Sequence, residues 1–418
     1  MLKSKPILTL ITLIIAGETI FFLPFVLARI FRPTLLLAFN ITNTELGTYF
    51  SVYGIVAMVS YFFGGPLADR FPARNLLSIA LWLTGLGGFV MSFMPIKWIM
   101  MVLYGFWGLT TIFLFWAALI RATREWGGTD FQGRAFGWLE GGRGATAALL
   151  GTLALLIFSD FSPESEHLAS ISAERISSFK VIILSISAFT LFAGILVWLF
   201  VPANKEYRPV DGFKISQIGK LMKRPSVWLL AVIIVCGYVG YKITDDYSLY
   251  ANQVLGFDEF KSAGVGTATL WIRAFSAIMA GYFADKIRSS KIICLCFALT
   301  LIGGVLTALG ILEQRVTLTF TILTVSVIGV YGVRALYFAL IHEGGISIYY
   351  TGTAVGIISV LGFTPDVFMS PWMGYLLDKS PGPEGHRHVF IVLSSFAVLG
   401  FIAGYIFILL NKKQKYSN

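Results

Sequence analysis

The sequence predicts an all-α integral membrane protein, with twelve transmembrane helices in two pseudo-symmetric six-helix bundles. Three observations carry that prediction. Of 418 residues, 56% are hydrophobic and only 13% charged, whereas a soluble domain carries about a quarter charged residues. Twelve mostly apolar runs come close to or exceed the ~20 residues that cross a bilayer core, at about 7–31, 45–66, 75–95, 98–120, 134–158, 179–201, 225–250, 263–284, 291–312, 317–341, 353–377 and 388–411. Finally, Gly65-Pro66-Leu67-Ala68-Asp69-Arg70-Phe71-Pro72-Ala73-Arg74 returns 216 residues later as Gly281-Tyr282-Phe283-Ala284-Asp285-Lys286-Ile287-Arg288-Ser289-Ser290-Lys291. The chain therefore reads as a duplication.

The first run follows Lys3 and Lys5 and reaches Phe31. It is too long for the apolar part of a secretory signal and has no convincing small-residue cleavage site after it, so it is expected to be the first span. Met94-Pro95-Ile96-Lys97 punctuates the third and fourth spans. The acidic, Ser-rich stretch 159–178 is the longest external loop, and 202–224 the one long cytoplasmic connection, with six cations. This gives an N-terminal bundle over 1–201, a linker over 202–224 and a C-terminal bundle over 225–418. With both termini in the cytoplasm, nineteen of the 32 Lys and Arg fall in cytoplasmic segments, eight outside and five within spans. Cytoplasmic loops carry the Lys and Arg excess, so this orientation is the expected one.

Composition also excludes several functions. The net charge of +10 resides mostly in short loops between apolar runs, not in a basic surface interleaved with aromatics, so no nucleic-acid partner is expected. Cys236, Cys294 and Cys296 lie inside apolar stretches and outline neither a disulfide framework nor a metal cluster. No Walker-type phosphate loop appears, which argues against ATP as the direct energy source. No nucleophile–base or metal-ligand constellation appears at useful spacing, so the chain is not expected to be an enzyme or to hold a cofactor.

Each copy of the repeated stretch has a helix-ending Gly (Gly65, Gly281), an Asp four residues on (Asp69, Asp285), a cation directly after it (Arg70, Lys286), and a further cation soon after (Arg74, Arg288). Gly133-Arg134-Ala135-Phe136-Gly137 echoes Gly352-Thr353-Ala354-Val355-Gly356, and Gly374-Tyr375-Leu376-Leu377-Asp378-Lys379 repeats the Gly-x-x-x-Asp-cation pattern at the outer end of helix eleven. An outer copy is what an inverted repeat within each half produces. The pattern resembles the loop signature of the major facilitator superfamily, which lies on the cytoplasmic side between the second and third helix of each half. Pro72 departs from it where Gly is usual. The resemblance implies the major facilitator fold and a gating role for Gly65, Asp69, Arg70, Arg74, Gly281, Asp285, Lys286, Arg288 and Asp378. Asp69 would sit against the N-terminal end of helix eleven and Asp285 against that of helix five, where unpaired backbone N–H groups favour an anion. The alternative is a loop carboxylate pairing with Arg70 or Arg74.

A charge near the bilayer centre costs at least about 2.5 kcal/mol on insertion scales and needs a partner or a function. Arg29 falls in the outer part of helix one, and Lys242 in the outer half of helix seven, its counterpart in the second half. Two such cations suit an anion clamp. The segment Leu27-Ala28-Arg29-Ile30-Phe31 looks like helix one of organophosphate:phosphate antiporters, and Tyr241-Lys242-Ile243-Thr244-Asp245-Asp246-Tyr247-Ser248 loosely resembles their helix seven. Lys242 stands where that family has Arg and lacks the planar fork that grips phosphate. This leaves carboxylate and sulfonate open. Alternatively, Arg29 snorkels with Arg32 and Asp245 or Asp246 neutralises Lys242 at helical spacing. Arg273 and Arg334 lie deeper and either touch substrate or pair with acids on other helices. Tyr241 and Tyr337, with Tyr331, Trp107, Trp116 and Trp138, fall on spans that line the cavity of this fold. Glu18, Glu140 and Asp366 are the acids placed to carry protons. Glu140 can instead neutralise Arg143, three residues along one face. Asp366 follows Pro365 at a site for a broken helix. His342, beside Glu343, reads as an interfacial residue.

The expected function is secondary transport, by alternating access across the inner membrane, of a small organic anion: carboxylate, sulfonate or phosphate ester. A proton or substrate gradient would drive it. The partners are this solute, protons and the bilayer, and the chain is expected to act as a monomer. The competing readings are a proton-coupled carrier of a neutral or zwitterionic metabolite, and a transporter-like membrane sensor.

Overall fold

The computed structural model describes residues 7–127, 132–160, 168–203, 223–311, 315–344 and 358–415; within helices, the side chains of 66, 69, 132–134, 160, 168–173, 285, 342 and 412–415 are not described. All regular structure among the described residues is helical. In chain order the helices are α1 Ile7–Ile30, α2 Asn43–Arg70, α3 Ala73–Ser92, α4 Lys97–Gly127, α5 Gln132–Asp160, α6 Leu168–Phe200, α7 Pro225–Gln253, α8 Glu259–Lys286, α9 Ser289–Ala308, α10 Val316–Ala339, α11 Pro365–Lys379 and α12 Pro383–Lys415. All but α11 are long and apolar enough to cross a membrane, which gives eleven such helices among the described residues. The eleventh predicted span is described from 358 on: 358–362 is helical, Phe363 and Thr364 form a turn, and α11 runs for 15 residues from Pro365. The linker 204–222 and the echo Gly352–Gly356 lie outside the described residues.

Local chemistry sets the helix ends. Thr42 opens α2 with a capping box: its side chain accepts from the Glu45 backbone N–H, while the Glu45 carboxylate accepts from the Thr42 N–H. Pro225 sits in the first turn of α7, where its missing N–H costs nothing. Inside α1, Pro24 removes one backbone donor, and the helix widens to a π-helical stretch over Phe22–Val26 before it resumes. A further helix, Arg32–Phe39, extends α1 and ends in a left-handed Asn40 at φ 49°.

One expectation needs correcting. Gly65 and Gly281 do not end their helices: α2 continues to Arg70 and α8 to Lys286. A glycine inside a helix costs only about 1 kcal/mol relative to alanine, and a neighbouring helix turn is enough to hold it. Pro72 terminates α2, since it forces Phe71 into extended backbone at φ −114° and ψ 150°.

The described residues gather into two compact units. One takes residues up to 203 together with 245–252 and 256–274; the other takes 223–244, 253–255 and everything from 275 on. In the first unit an aromatic ladder of Tyr49, Phe50, Tyr104 and Trp107, with ring centroids 5.2–5.6 Å apart, joins α2 to α4. Trp107 Nε1 donates to the Thr84 carbonyl of α3 at 3.2 Å. Lipid is as apolar as leucine, so such helix–helix contacts rest on close packing and interhelical hydrogen bonds. Gly266 of α8 illustrates the closeness, because a Cβ there would lie 2.8 Å from the Arg29 carbonyl oxygen and the Ile30 Cα of α1. In the second unit α9 packs between α10 and α12. Cys236, Cys294 and Cys296 are free and buried there.

Candidate functional site

The membrane-embedded charges fall into three clusters, each within one unit. The first is centred on Glu18, which lies on α1 before the π-helical stretch and is 2% exposed. Arg273 of α8 grips it with two donors, Nη1 to Oε1 at 2.8 Å and Nη2 to Oε2 at 3.3 Å. Arg143 of α5 approaches the same carboxylate, Nε to Oε2 at 3.3 Å, and donates to the Gly17 carbonyl at 3.0 Å. Its Nη1 donates to Glu140 at 2.7 Å, while its guanidinium lies 5.6 Å from the rings of Phe21 and Trp116. Glu140, half exposed, balances the second arginine. The Glu140–Arg143 pairing open in the sequence is present, and Arg273 meets an acid on another helix.

The second cluster follows the π-helical stretch of α1. Arg29 donates Nε to Oδ1 of Asp245 at 2.6 Å, with both side chains at most 1% exposed. Arg32 donates to Asn43 at 3.0 Å and reaches the Asp245 carbonyl at 3.5 Å. Arg29 and Asp245 are 216 residues apart, the offset of the repeated motif itself. Neither arginine snorkels, since both are buried. Asp245 is free of α-helical register because α7 tightens to a 3₁₀ turn over Thr244–Asp246.

The third cluster joins α7, α10 and α11. Asp366 accepts from the Tyr238 hydroxyl at 3.1 Å (Oδ1) and 3.0 Å (Oδ2), and Lys242 Nζ lies 3.3 Å from its Oδ1. The carboxylate reaches α7 because α11 restarts at Pro365, directly after the Phe363–Thr364 turn. Arg334 of α10 lies 3.6 Å above the Tyr241 ring and 5.6 Å from the Tyr238 ring. Tyr241 also meets Tyr331 edge-on at 6.1 Å, and Phe363 packs on Tyr238 at 4.9 Å. Tyr337 is buried against Phe338. The sequence reading missed Tyr238, although it stands one turn before Lys242 and three residues before Tyr241, on their face of α7.

The repeated motif is partly described. Arg70 is exposed at the end of α2, Arg74 lies 4.6 Å over the Trp198 ring, Lys286 lies 4.3 Å over Tyr282, and Arg288 precedes α9. Asp378 is half-buried near the end of α11. The side chains of Asp69 and Asp285, with their expected helix-end partners, lie outside the described residues. Two groups at these ends were not foreseen. Arg121 of α4 donates to the carbonyls of Ala68 and, at 3.2 Å, Phe71, and pairs with Glu125 at 2.7 Å, capping the end of α2. Glu343 accepts from the Ser290 backbone N–H at 2.9 Å and hydroxyl at 2.7 Å, capping the start of α9.

Comparison with known proteins places this arrangement. The chain is 29% identical over 383 residues to the inner membrane protein YqcE of Escherichia coli K12, spanning 89% of this chain and 87% of that one. It is 27% identical to the inner membrane protein YihN of the same strain, over 96% of this chain and 94% of that one. Its fold matches an inward-facing, unoccupied bacterial homolog of the human lysosomal transporter Spinster, with a TM-score of 0.73 at 14% identity over 97% and 98% of the two chains. It also matches the nucleoside transporter NupG, with a TM-score of 0.72 at 12% identity over 96% and 98%. The profile of the Major Facilitator Superfamily matches residues 8–363. Eleven membrane-crossing helices among the described residues, an internal repeat and a family profile that covers most of the chain agree: the chain belongs to the major facilitator superfamily.

Proposed function

We propose that the protein is a secondary active transporter of a small organic anion, working by alternating access in the inner membrane. The observation that carries the anion part is the third cluster, which assembles two cations, Lys242 and Arg334, around one carboxylate and a set of tyrosines. A solute carboxylate, sulfonate or phosphate ester would meet donors and positive charge there. Glu18, held between two arginines, supports a coupling role. A charged solute near these arginines would compete with the carboxylate for their donors, which is the proposed basis of coupling. The relatives named as inner membrane proteins support the location, and the Lys and Arg excess supports cytoplasmic termini. Asp69 and Asp285 would govern the gating between a bundle of 1–201 and one of 225–418.

A second reading is a carrier of a neutral or zwitterionic metabolite. The first two clusters favour it, because Glu18 with Glu140 balances Arg273 with Arg143, and Arg29 meets Asp245. A thermal-shift screen of purified protein against phosphorylated, carboxylated, sulfonated and neutral metabolites separates the readings, since a ligand stabilises the state it binds. Stabilisation by anions, lost in Lys242→Gln, is expected. Stabilisation by neutral solutes alone would refute the anion reading.

A further inference from the structure

Asp366 sits where the anion of the proposed function would bind. Both of its oxygens lie within 3.1 Å of the Tyr238 hydroxyl, and one is 3.3 Å from Lys242. Its position depends on the break before α11: Pro365 has no N–H to continue the preceding helix, and the Asp366 N–H turns back to the Phe363 carbonyl at 3.1 Å. The carboxylate thus projects from the first turn of a helix and is held by groups of α7. Arg334 is pinned against Tyr241 at 3.6 Å, with the guanidinium stacked on the ring.

We propose that Asp366 is an internal stand-in for the substrate, and that the substrate is a carboxylate; this rests on the anion reading above. The donors around Asp366 are matched to a flat, two-oxygen acceptor of single charge. Lys242 supplies a point charge, the Tyr238 hydroxyl is shared between two carboxylate oxygens, and the group these donors already hold is a carboxylate. Two carboxylates cannot share these donors without like-charge repulsion. Substrate therefore binds only when Asp366 leaves Lys242 and Tyr238, and its apparent affinity is lowered by the fraction of time that Asp366 holds them. Asp366 in this way keeps the affinity for substrate low enough for release, and its return to Lys242 drives the solute out.

The test uses full-length protein in detergent, with gluconate, lactate and pyruvate as probes and methanesulfonate and methylphosphonate as controls. Affinity is read by thermal shift and equilibrium binding. The Asp366→Asn variant keeps the size of the side chain and removes its charge. It is expected to bind a carboxylate probe about tenfold more tightly than the unaltered protein, as for a site that Asp366 leaves vacant a tenth of the time. Asp366→Ser is the second variant should the first fail to fold. Lys242→Gln is expected to lose the binding. Equal or weaker carboxylate binding by both folded Asp366 variants would overturn the stand-in role and leave the anion reading intact. Tighter binding of the sulfonate or phosphonate would overturn the carboxylate assignment. Binding of no anion by the unaltered protein or the variants would overturn the anion reading and this inference together.

Discussion

Replacing Glu18 with Gln removes one negative charge from between two guanidinium groups and leaves Arg273 and Arg143 facing each other. The carboxylate is 2% exposed and takes contacts at 2.8, 3.3 and 3.3 Å from the two arginines, so solvent does little to screen the loss. Breaking a buried ion pair by removing one partner costs about 3–5 kcal/mol. Arg273 depends on this acid, whereas Arg143 keeps Glu140 at 2.7 Å, which places the expected cost near the middle of that range. At about 2–4 °C of Tm per kcal/mol for a large domain, the apparent melting temperature in detergent should fall by roughly 10 °C. The double variant Glu18→Gln, Arg273→Gln removes the second charge as well and should recover about half of that loss. Intrinsic-tryptophan or thiol-dye melting curves at one scan rate compare the three proteins. Proteoliposome assays add a functional readout: Glu18→Gln should keep exchange of substrate for substrate and lose uptake driven by a pH gradient. An unchanged melting temperature, or a double variant no more stable than the single one, would refute the reasoning.

Other predictions follow from the same contacts. Arg29→Gln leaves Asp245 buried without its guanidinium and should cost about 3–5 kcal/mol, with Arg29→Gln, Asp245→Asn less damaged than the sum of the single variants; a double-mutant cycle on melting data checks this. Gly266→Val puts a side chain into the space held by the Arg29 and Ile30 backbone and should destabilise by about 1–3 kcal/mol through overpacking, read as a lower Tm. Arg334→Lys keeps the charge but gives up the flat stack on Tyr241, so anion affinity should fall several-fold with little change in Tm, as measured by equilibrium binding.

The fold was legible because a bilayer demands long apolar runs, and such runs are visible in one dimension. The repeat was legible because duplicated helix ends kept their Gly, Asp and cations 216 residues apart. Partners were harder. Arg273 had no acid near it in sequence, and its contact with Glu18 spans 255 residues. The Lys242–Asp366 contact depends on where α11 breaks, and sequence could offer only the Pro365 that permits the break. Helical spacing pointed to Asp245 or Asp246 for Lys242, whereas the 3₁₀ turn at Thr244–Asp246 lets Asp245 meet Arg29. Gly65 misled because a glycine reads as a stop, while the proline seven residues later does the stopping.

The central claim, secondary transport of a small organic anion, is tested most directly by counterflow. Proteoliposomes carrying the purified protein are preloaded with unlabelled gluconate, lactate or pyruvate and diluted into the matching labelled carboxylate without any ion gradient. The account predicts transient accumulation of label by the unaltered protein, and none by folded Lys242→Gln. Accumulation of a neutral solute under the same conditions, with no anion either accumulated or inhibitory, would contradict it.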